Sequence, residues 1–243
     1  MTIGIVGYGK FGTLVHELQK RFLPDAQVRV FSSRTEPDQK LFFPLADVAS
    51  CDFVFLTVPI HAFEENLAKI IPLLGPSTVV VDVATVKMHT VEILKRLLPE
   101  RAWIATHPMW GPESYAKRGG DVSGFRIVIT ESTIPQEQRK AAVSFLKGCG
   151  FDVVEMSPEQ HDQHLAETLF LTHFIGQSVA RAGFGRTPID TVSFGFLMDA
   201  MESVRHDTEL FQDVFRFNPY CKEVLKKFEI AEEAVQALLS EKQ

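Results

Sequence analysis

Short apolar runs alternate with longer amphipathic ones over the first two thirds of the chain. Ile3 to Val6 is an apolar run of strand length, and the apolar positions that follow it, Leu14, Val15, Leu18 and Phe22, recur with helical spacing. The same alternation predicts strands at 3–6, 28–31, 53–58, 78–82 and 103–106, and helices at 10–21, 61–73 and 87–98. Pro72, Pro76 and Pro99 mark where the helices stop, because proline has no N–H to continue the ladder. Two more strands, at 125–130 and 151–155, flank a helix at 135–147. Strands alternating with helices predict a parallel sheet covered on both faces. Pro158 marks a change of character. From Glu159 onward the periodicity is nearly all helical, and Ala166, Leu169, Phe170, His173, Phe174 and Gln177 span several turns of one helix.

The expected organisation is therefore α/β: a doubly wound parallel sheet over 1–156, followed by a smaller all-helical domain over 157–243. The helical part is small and rich in large apolar residues, so it is expected to pack against a twin through the faces around Phe170, Phe174, Phe194, Leu197 and Phe211, giving a homodimer.

The first strand runs straight into Gly7-Tyr8-Gly9-Lys10-Phe11-Gly12, and the helix follows. Strand, glycine turn and helix in that order predict a Rossmann-type dinucleotide site, a plain connecting turn being the other reading: Gly7 permits the turn, Gly9 lets the backbone approach a pyrophosphate, and Gly12 allows close helix packing. The phosphates then meet the free N–H groups of the helix N-terminus. At the end of the second strand, where an NAD site has a carboxylate for the ribose hydroxyls, stand Ser32, Ser33 and Arg34, and the first acid is Glu36. Two hydroxyls and a guanidinium suit the 2′-phosphate of NADP; the other reading is a polar strand exit with a solvated arginine.

Three further stretches lie at C-terminal strand ends, where open α/β sheets gather ligands. Thr57, Val58 and Pro59 follow the third strand and Thr85 the fourth. Thr85 is placed to meet a substrate hydroxyl or a nicotinamide, or to cap the next helix. His107 follows the fifth strand in a loop stiffened by Pro108 and Pro112, a good position for an acid or a base.

Composition removes several alternatives. The chain is 45% hydrophobic and 23% charged, ordinary for a globular protein, and its net charge of -6 is spread without a basic stripe, which gives nucleic acid or a membrane surface nothing to bind. Cys51, Cys149 and Cys221 are widely spaced, without the short pairs of a metal site, and read as free thiols in a reducing compartment. The first strand starts at the N-terminus and no apolar run reaches membrane-span length, so a cytoplasmic location is expected.

With these motifs in order, the sequence resembles the prephenate and arogenate dehydrogenase family of tyrosine biosynthesis, most closely the plant-type NADP-dependent arogenate dehydrogenases. The resemblance is carried by the glycine turn, Val81 to Lys87, the run from Thr106 to Ser114, Val154 to Ser157 leading into His161 and Asp162, Thr172-His173, and Thr187-Pro188-Ile189. It implies oxidative decarboxylation of arogenate or prephenate. By motif, His107 matches the histidine that draws the proton from the C4 hydroxyl, Thr85 replaces a serine touching the same hydroxyl, and Ser114 belongs to the substrate loop. His173 matches a pocket histidine on the long helix, and Asp207 an acid facing the ammonium of arogenate; Asp207 also suits an N-cap of the following helix. Leu169 stands where plant-type enzymes have a glutamine, and the arginine that holds a substrate carboxylate in many microbial members has no clear counterpart, with Lys117, Arg118, Arg205 and Arg216 as candidates. His161, with Asp162, also reads as a simple helix start. Two competing readings are a reductase of another small carbonyl compound and a non-catalytic NADP-binding sensor; both leave the His107 loop unexplained.

Overall fold

A computed structural model describes residues 1–240. Clustering of contacts divides the chain into two compact units, Met1–His161 and Asp162–Gln243, so the division falls a few residues beyond the expected one between 156 and 157.

The first unit is built on a seven-stranded sheet: β1 (Thr2–Val6), β2 (Gln27–Phe31), β3 (Phe53–Leu56), β4 (Val79–Asp82), β5 (Trp103–Pro108), β6 (Arg126–Ser132) and β7 (Asp152–Glu155), in the order β2-β1-β3-β4-β5-β6-β7. Its helices are α1 (Lys10–Phe22), α2 (Leu45–Ala49), α3 (Phe63–Ile70), α4 (Lys87–Leu97), α5 (Pro112–Lys117), α6 (Gln136–Gly148) and α7 (Pro158–Leu165), the last crossing into the second unit. Every residue of β4 is buried, as expected of a strand covered on both faces. The order reverses beside β1, which puts a topological switch point at the glycine turn.

All neighbouring pairs are parallel except β5 and β6, which run antiparallel with a register shift between Ala105 and Thr106. The short α5 between them does not supply the long covering helix of a parallel crossover. The expected strand at 53–58 ends at Leu56, because Thr57 turns aside to bond the glycine loop. The expected helix at 61–73 is α3 alone, with single 3-10 turns at Ile60–Ala62 and Ile71–Leu73; Pro72 lies in the second, where it cannot donate to an α-helical ladder. The short α2 and α5 were not anticipated.

The second unit holds α8 (Leu171–Arg181), α9 (Val192–Val204), α10 (Thr208–Phe217) and α11 (Cys221–Ser240). The single long helix expected from 159 is interrupted by a π turn at Ala166–Phe170. The aromatic positions also sort differently from the expected dimer face. Phe170 is almost wholly buried and stacks on Phe211 and Phe215 within the unit, and Phe194 and Leu197 are half-buried. The exposed apolar residues instead include Phe184, Ile189, Val192 and Phe196, between 63% and 88% accessible, and Ile230, Val235, Leu238 and Leu239 of α11, between 56% and 74%. Among the described residues no helix is long and apolar enough to cross a membrane.

Candidate active site

The glycine turn is held as its sequence requires. Gly7 has φ +99°, and a Cβ there would lie 2.7 Å from the Thr57 carbonyl oxygen; a Cβ on Gly12 would lie 2.2 Å from the Gly7 carbonyl oxygen. Gly9 is the N-cap of α1, with open space around it and no acid in the first helical turn. An approachable backbone at a helix N-terminus without a competing carboxylate fits a dinucleotide pyrophosphate. The Thr57 hydroxyl donates to the Gly7 carbonyl at 2.6 Å, so it braces the turn, and Val58 packs on Gly7 from the same side. Pro59 precedes the 3-10 turn at Ile60–Ala62.

Tyr8 points its hydroxyl at Nδ1 of His16, 2.8 Å away, and meets Phe42 edge-on. Lys10 is exposed, 3.6 Å from Glu113, while Phe11 packs inward. At the end of β2 the Ser32 hydroxyl accepts the Arg34 backbone N–H, and Ser33 and Arg34 are exposed. Arg34 makes no ion pair among the described residues. The nearby carboxylate of Asp38 is occupied by the backbone N–H groups of Lys40, Leu41 and Phe42, which hold its pKa below the ordinary carboxylate value.

His107 is the last residue but one of β5, just after the register shift, and is buried. A bulge beside a strand end re-aims the side chain that follows it. Trp110, three residues on, stacks between Phe125 and Phe151 with ring centroids 4.8 and 5.6 Å away, which anchors the loop. Nδ1 of His107 is 2.9 Å from Nε2 of His161, also buried, on α7. Burial is the main cause that holds the His107 pKa well below 6.5, with the charges of His161 and Lys87 acting in the same direction. His107 is thus a neutral imidazole, the form that accepts a proton.

Behind His107 lies a polar knot. Lys87, fully buried, donates from Nζ to Asp82 Oδ2 at 2.6 Å and to the Thr106 carbonyl at 2.7 Å. Asp82 also accepts from the Ala84 N–H and the Thr90 hydroxyl. Thr85, half-buried, sits in the turn between; the N-cap of α4 is Val86, without a side-chain capping bond, so Thr85 does not cap that helix. Ser114 is exposed in the first turn of α5. No group of three or more metal-ligating residues is assembled among the described residues.

In the helical unit, His173 is buried and stacks on Phe211, and its Nδ1 has no hydrogen-bond partner among the described residues. Burial lowers its pKa and the charge of Asp207 opposes that shift. Asp207 occupies the N-cap position of α10 but makes no side-chain capping bond, so its carboxylate is not spent on the helix. Leu169 lies within the π turn. Of the candidate cations, Arg118 bonds the Ser123 carbonyl and stacks over Phe125, and Arg205 pairs with Glu202. Arg216 lies over Phe217, and Lys117 makes no ion pair among the described residues.

Sequence reasoning passed over the roles of His161, Asp82 and Lys87. All three stood inside the motifs named above, and nothing in their spacing reveals that His161 meets His107 or that Lys87 joins Asp82 to the carbonyl of Thr106.

Comparison with known proteins follows the same lines. Residues 39–155 match the family profile described as prephenate dehydrogenase, nucleotide-binding domain, and residues 178–243 match one described as TYRAAT1-like, C-terminal domain. The chain is 30% identical over 253 residues to chloroplastic arogenate dehydrogenase 1 of Arabidopsis thaliana, matching 98% of this chain and 39% of that protein. It is 29% identical over 250 residues to chloroplastic arogenate dehydrogenase 2 of the same plant, matching 97% of this chain and 69% of that protein. The chain thus spans about two fifths of the length of the first relative. A crystal structure of prephenate dehydrogenase from A. aeolicus, in complex with hydroxyphenyl propionate and NAD+, has the same fold, with TM-score 0.78, 20% identity, and 100% of this chain and 91% of that chain matched.

Proposed function

We propose that this chain, a homologue of the plant arogenate dehydrogenases that carries a prephenate dehydrogenase nucleotide-binding domain, oxidises and decarboxylates arogenate to tyrosine with NADP. The observation that carries the reading is the buried, neutral imidazole of His107 at the C-terminal end of β5, facing His161. A bound nicotinamide dinucleotide, held by the Gly7-to-Gly12 turn and the N-terminus of α1, would supply the acceptor for the hydride that leaves ring carbon C4. His107 takes the proton of the C4 hydroxyl as the C4 carbonyl character develops. The bond to the ring carboxylate breaks, carbon dioxide leaves, the electrons of that bond complete the aromatic ring, and the resulting phenolate oxygen takes back a proton. For Nε2 of His107 to accept a proton, Nδ1 must already carry one and donate it to Nε2 of His161, which orients the ring. By the motif match the Thr85 hydroxyl is assigned to the same C4 hydroxyl, and His173 and Asp207 of the helical unit are assigned to substrate on the resemblance alone, the Asp207 carboxylate to the ammonium.

NADP is favoured over NAD by Ser32, Ser33 and an exposed Arg34 that makes no ion pair among the described residues, beside an Asp38 already taken up by backbone N–H groups. Prephenate, with a keto group in place of the ammonium, is the alternative substrate. A homodimer is inferred from the apolar surface of Phe184, Ile189, Val192 and Phe196, and a cytoplasmic location from the free cysteines. Steady-state assays crossing arogenate and prephenate with NADP and NAD test the reading. The highest kcat/KM is expected for arogenate with NADP, and no turnover of any pairing overturns it.

A further inference from the structure

Two charged side chains with no part in the reaction above, Asp82 and Lys87, are fully buried. We propose that they are positioning residues: their ion pair locks the turn that carries Thr85 against the strand end that carries His107. The inference rests on the dehydrogenase reading for the word reaction, and on geometry for the rest.

A buried ion pair is costly to desolvate and is weak evidence for stability. What this one supplies is direction. The ammonium of Lys87, the first residue of α4, reaches both the Asp82 carboxylate at the end of β4 and the carbonyl of Thr106, the residue before His107. Asp82 Oδ1 takes the N–H of Ala84, the residue before Thr85, at 2.7 Å, and Oδ2 takes the Thr90 hydroxyl at 2.6 Å. The Thr106 hydroxyl returns to the Asp82 carbonyl at 2.8 Å. The two ends of the Thr85 turn are therefore bonded to each other and to the backbone of β5. An apolar pair of the same size would fill the space without fixing these bond directions, because dispersion contacts have none.

The same ammonium has an electrostatic consequence. The groups acting on His107 are His161 of α7 and Lys87 of α4, the latter paired with Asp82 of β4. Lys87 opposes a second positive charge at His107 and so adds to the larger effect of burial in favouring the neutral ring.

The test is the double variant Asp82→Asn/Lys87→Met, which removes both charges, keeps the side-chain lengths and leaves no unpaired buried ion. It is expected to bind NADP, to lose about 10²-fold in kcat with a smaller change in KM, as a misplaced reacting group does, and to show the His107 ring titrating at higher pH by imidazole NMR. A purely structural pair would lower the melting temperature and leave kcat and the His107 titration at their wild-type values, which overturns the proposal. If the double variant does not fold, Thr90→Val keeps both charges and removes one bond to Asp82: a lower kcat with NADP binding intact supports the proposal, and wild-type kcat overturns it. If the wild-type chain turns over neither arogenate nor prephenate, the dehydrogenase reading fails. The NMR titration of His107 still decides the positioning claim, an unchanged titration in the folded double variant overturning it.

Discussion

Nδ1 of His107 stands 2.9 Å from Nε2 of His161, and the two rings meet at 72°. One strand end and one helix start, 54 positions apart in sequence, thus bring two buried imidazoles to hydrogen-bonding distance through one ring nitrogen each. The arrangement leaves the far nitrogen of His107 to do chemistry and gives its near nitrogen a partner.

The pH dependence follows from burial. The His107 pKa lies well below 6.5, and the ring must be neutral to accept a proton, so the acid limb of kcat/KM is expected below pH 6.5. Stability has the same sign: between 6.5 and the lower folded value, the unfolded chain binds a proton that the folded chain does not, so stability falls as pH falls through that window. A pH–rate profile with its acid limb at or above 6.5 would contradict the assignment.

His107→Asn keeps a hydrogen-bonding side chain and removes the imidazole proposed as the base. Turnover is expected to fall by about 10²–10⁴-fold while NADP still binds. Replacing His161 with Phe removes the partner of Nδ1 and is expected to cost less, because the base itself remains. Near-normal kcat in His107→Asn, measured alongside a normal NADP titration, would place the base elsewhere.

Cofactor choice is expected to hinge on Arg34. Losing a charge-assisted hydrogen bond to a 2′-phosphate should weaken NADP by roughly 10- to 100-fold in Arg34→Ala. NAD has no such phosphate and should bind as before. Binding titrations of both cofactors decide it, and equal losses would remove Arg34 from the site.

Substrate choice is assigned to Asp207, which raises the pKa of His173 against the effect of burial and makes no capping bond of its own. Asp207→Asn is expected to lower kcat/KM for arogenate, to raise it for prephenate, and to let the His173 pKa drop further. A proportional loss on both substrates, with a lower melting temperature, would mark Asp207 as structural.

Phe196 is 70% exposed on α9, beside Val192 at 77%. A dimer is expected by light scattering at micromolar concentration, and Phe196→Glu should shift it toward monomer by placing a charge in an apolar contact. A wild-type monomer under those conditions would rule the interface out.

Local patterns were enough for much of the architecture. The apolar run of β1, the Gly7-to-Gly12 turn and the helical spacing of α1 are written in neighbouring residues, and so are the strand–helix alternation and the change near Pro158. These features depend on periodicity and on backbone freedom, which act over a few residues. The antiparallel pairing of β5 with β6, the π turn at Ala166–Phe170 and the inward turn of Phe170 and Phe211 do not. They are decided by which elements pack together, and a helical period reports only that a face is apolar, not what covers it. The site divides in the same way. His107 and Thr85 are legible because each follows a predicted strand. The contact of His107 with His161, and the knot of Asp82, Lys87, Thr90 and Thr106, exist only once β4, β5, α4 and α7 are brought together. Hydrogen bonds between residues distant in sequence leave no spacing to read, and the burial that lowers the His107 pKa is a property of the folded unit, not of the residues beside it in the chain.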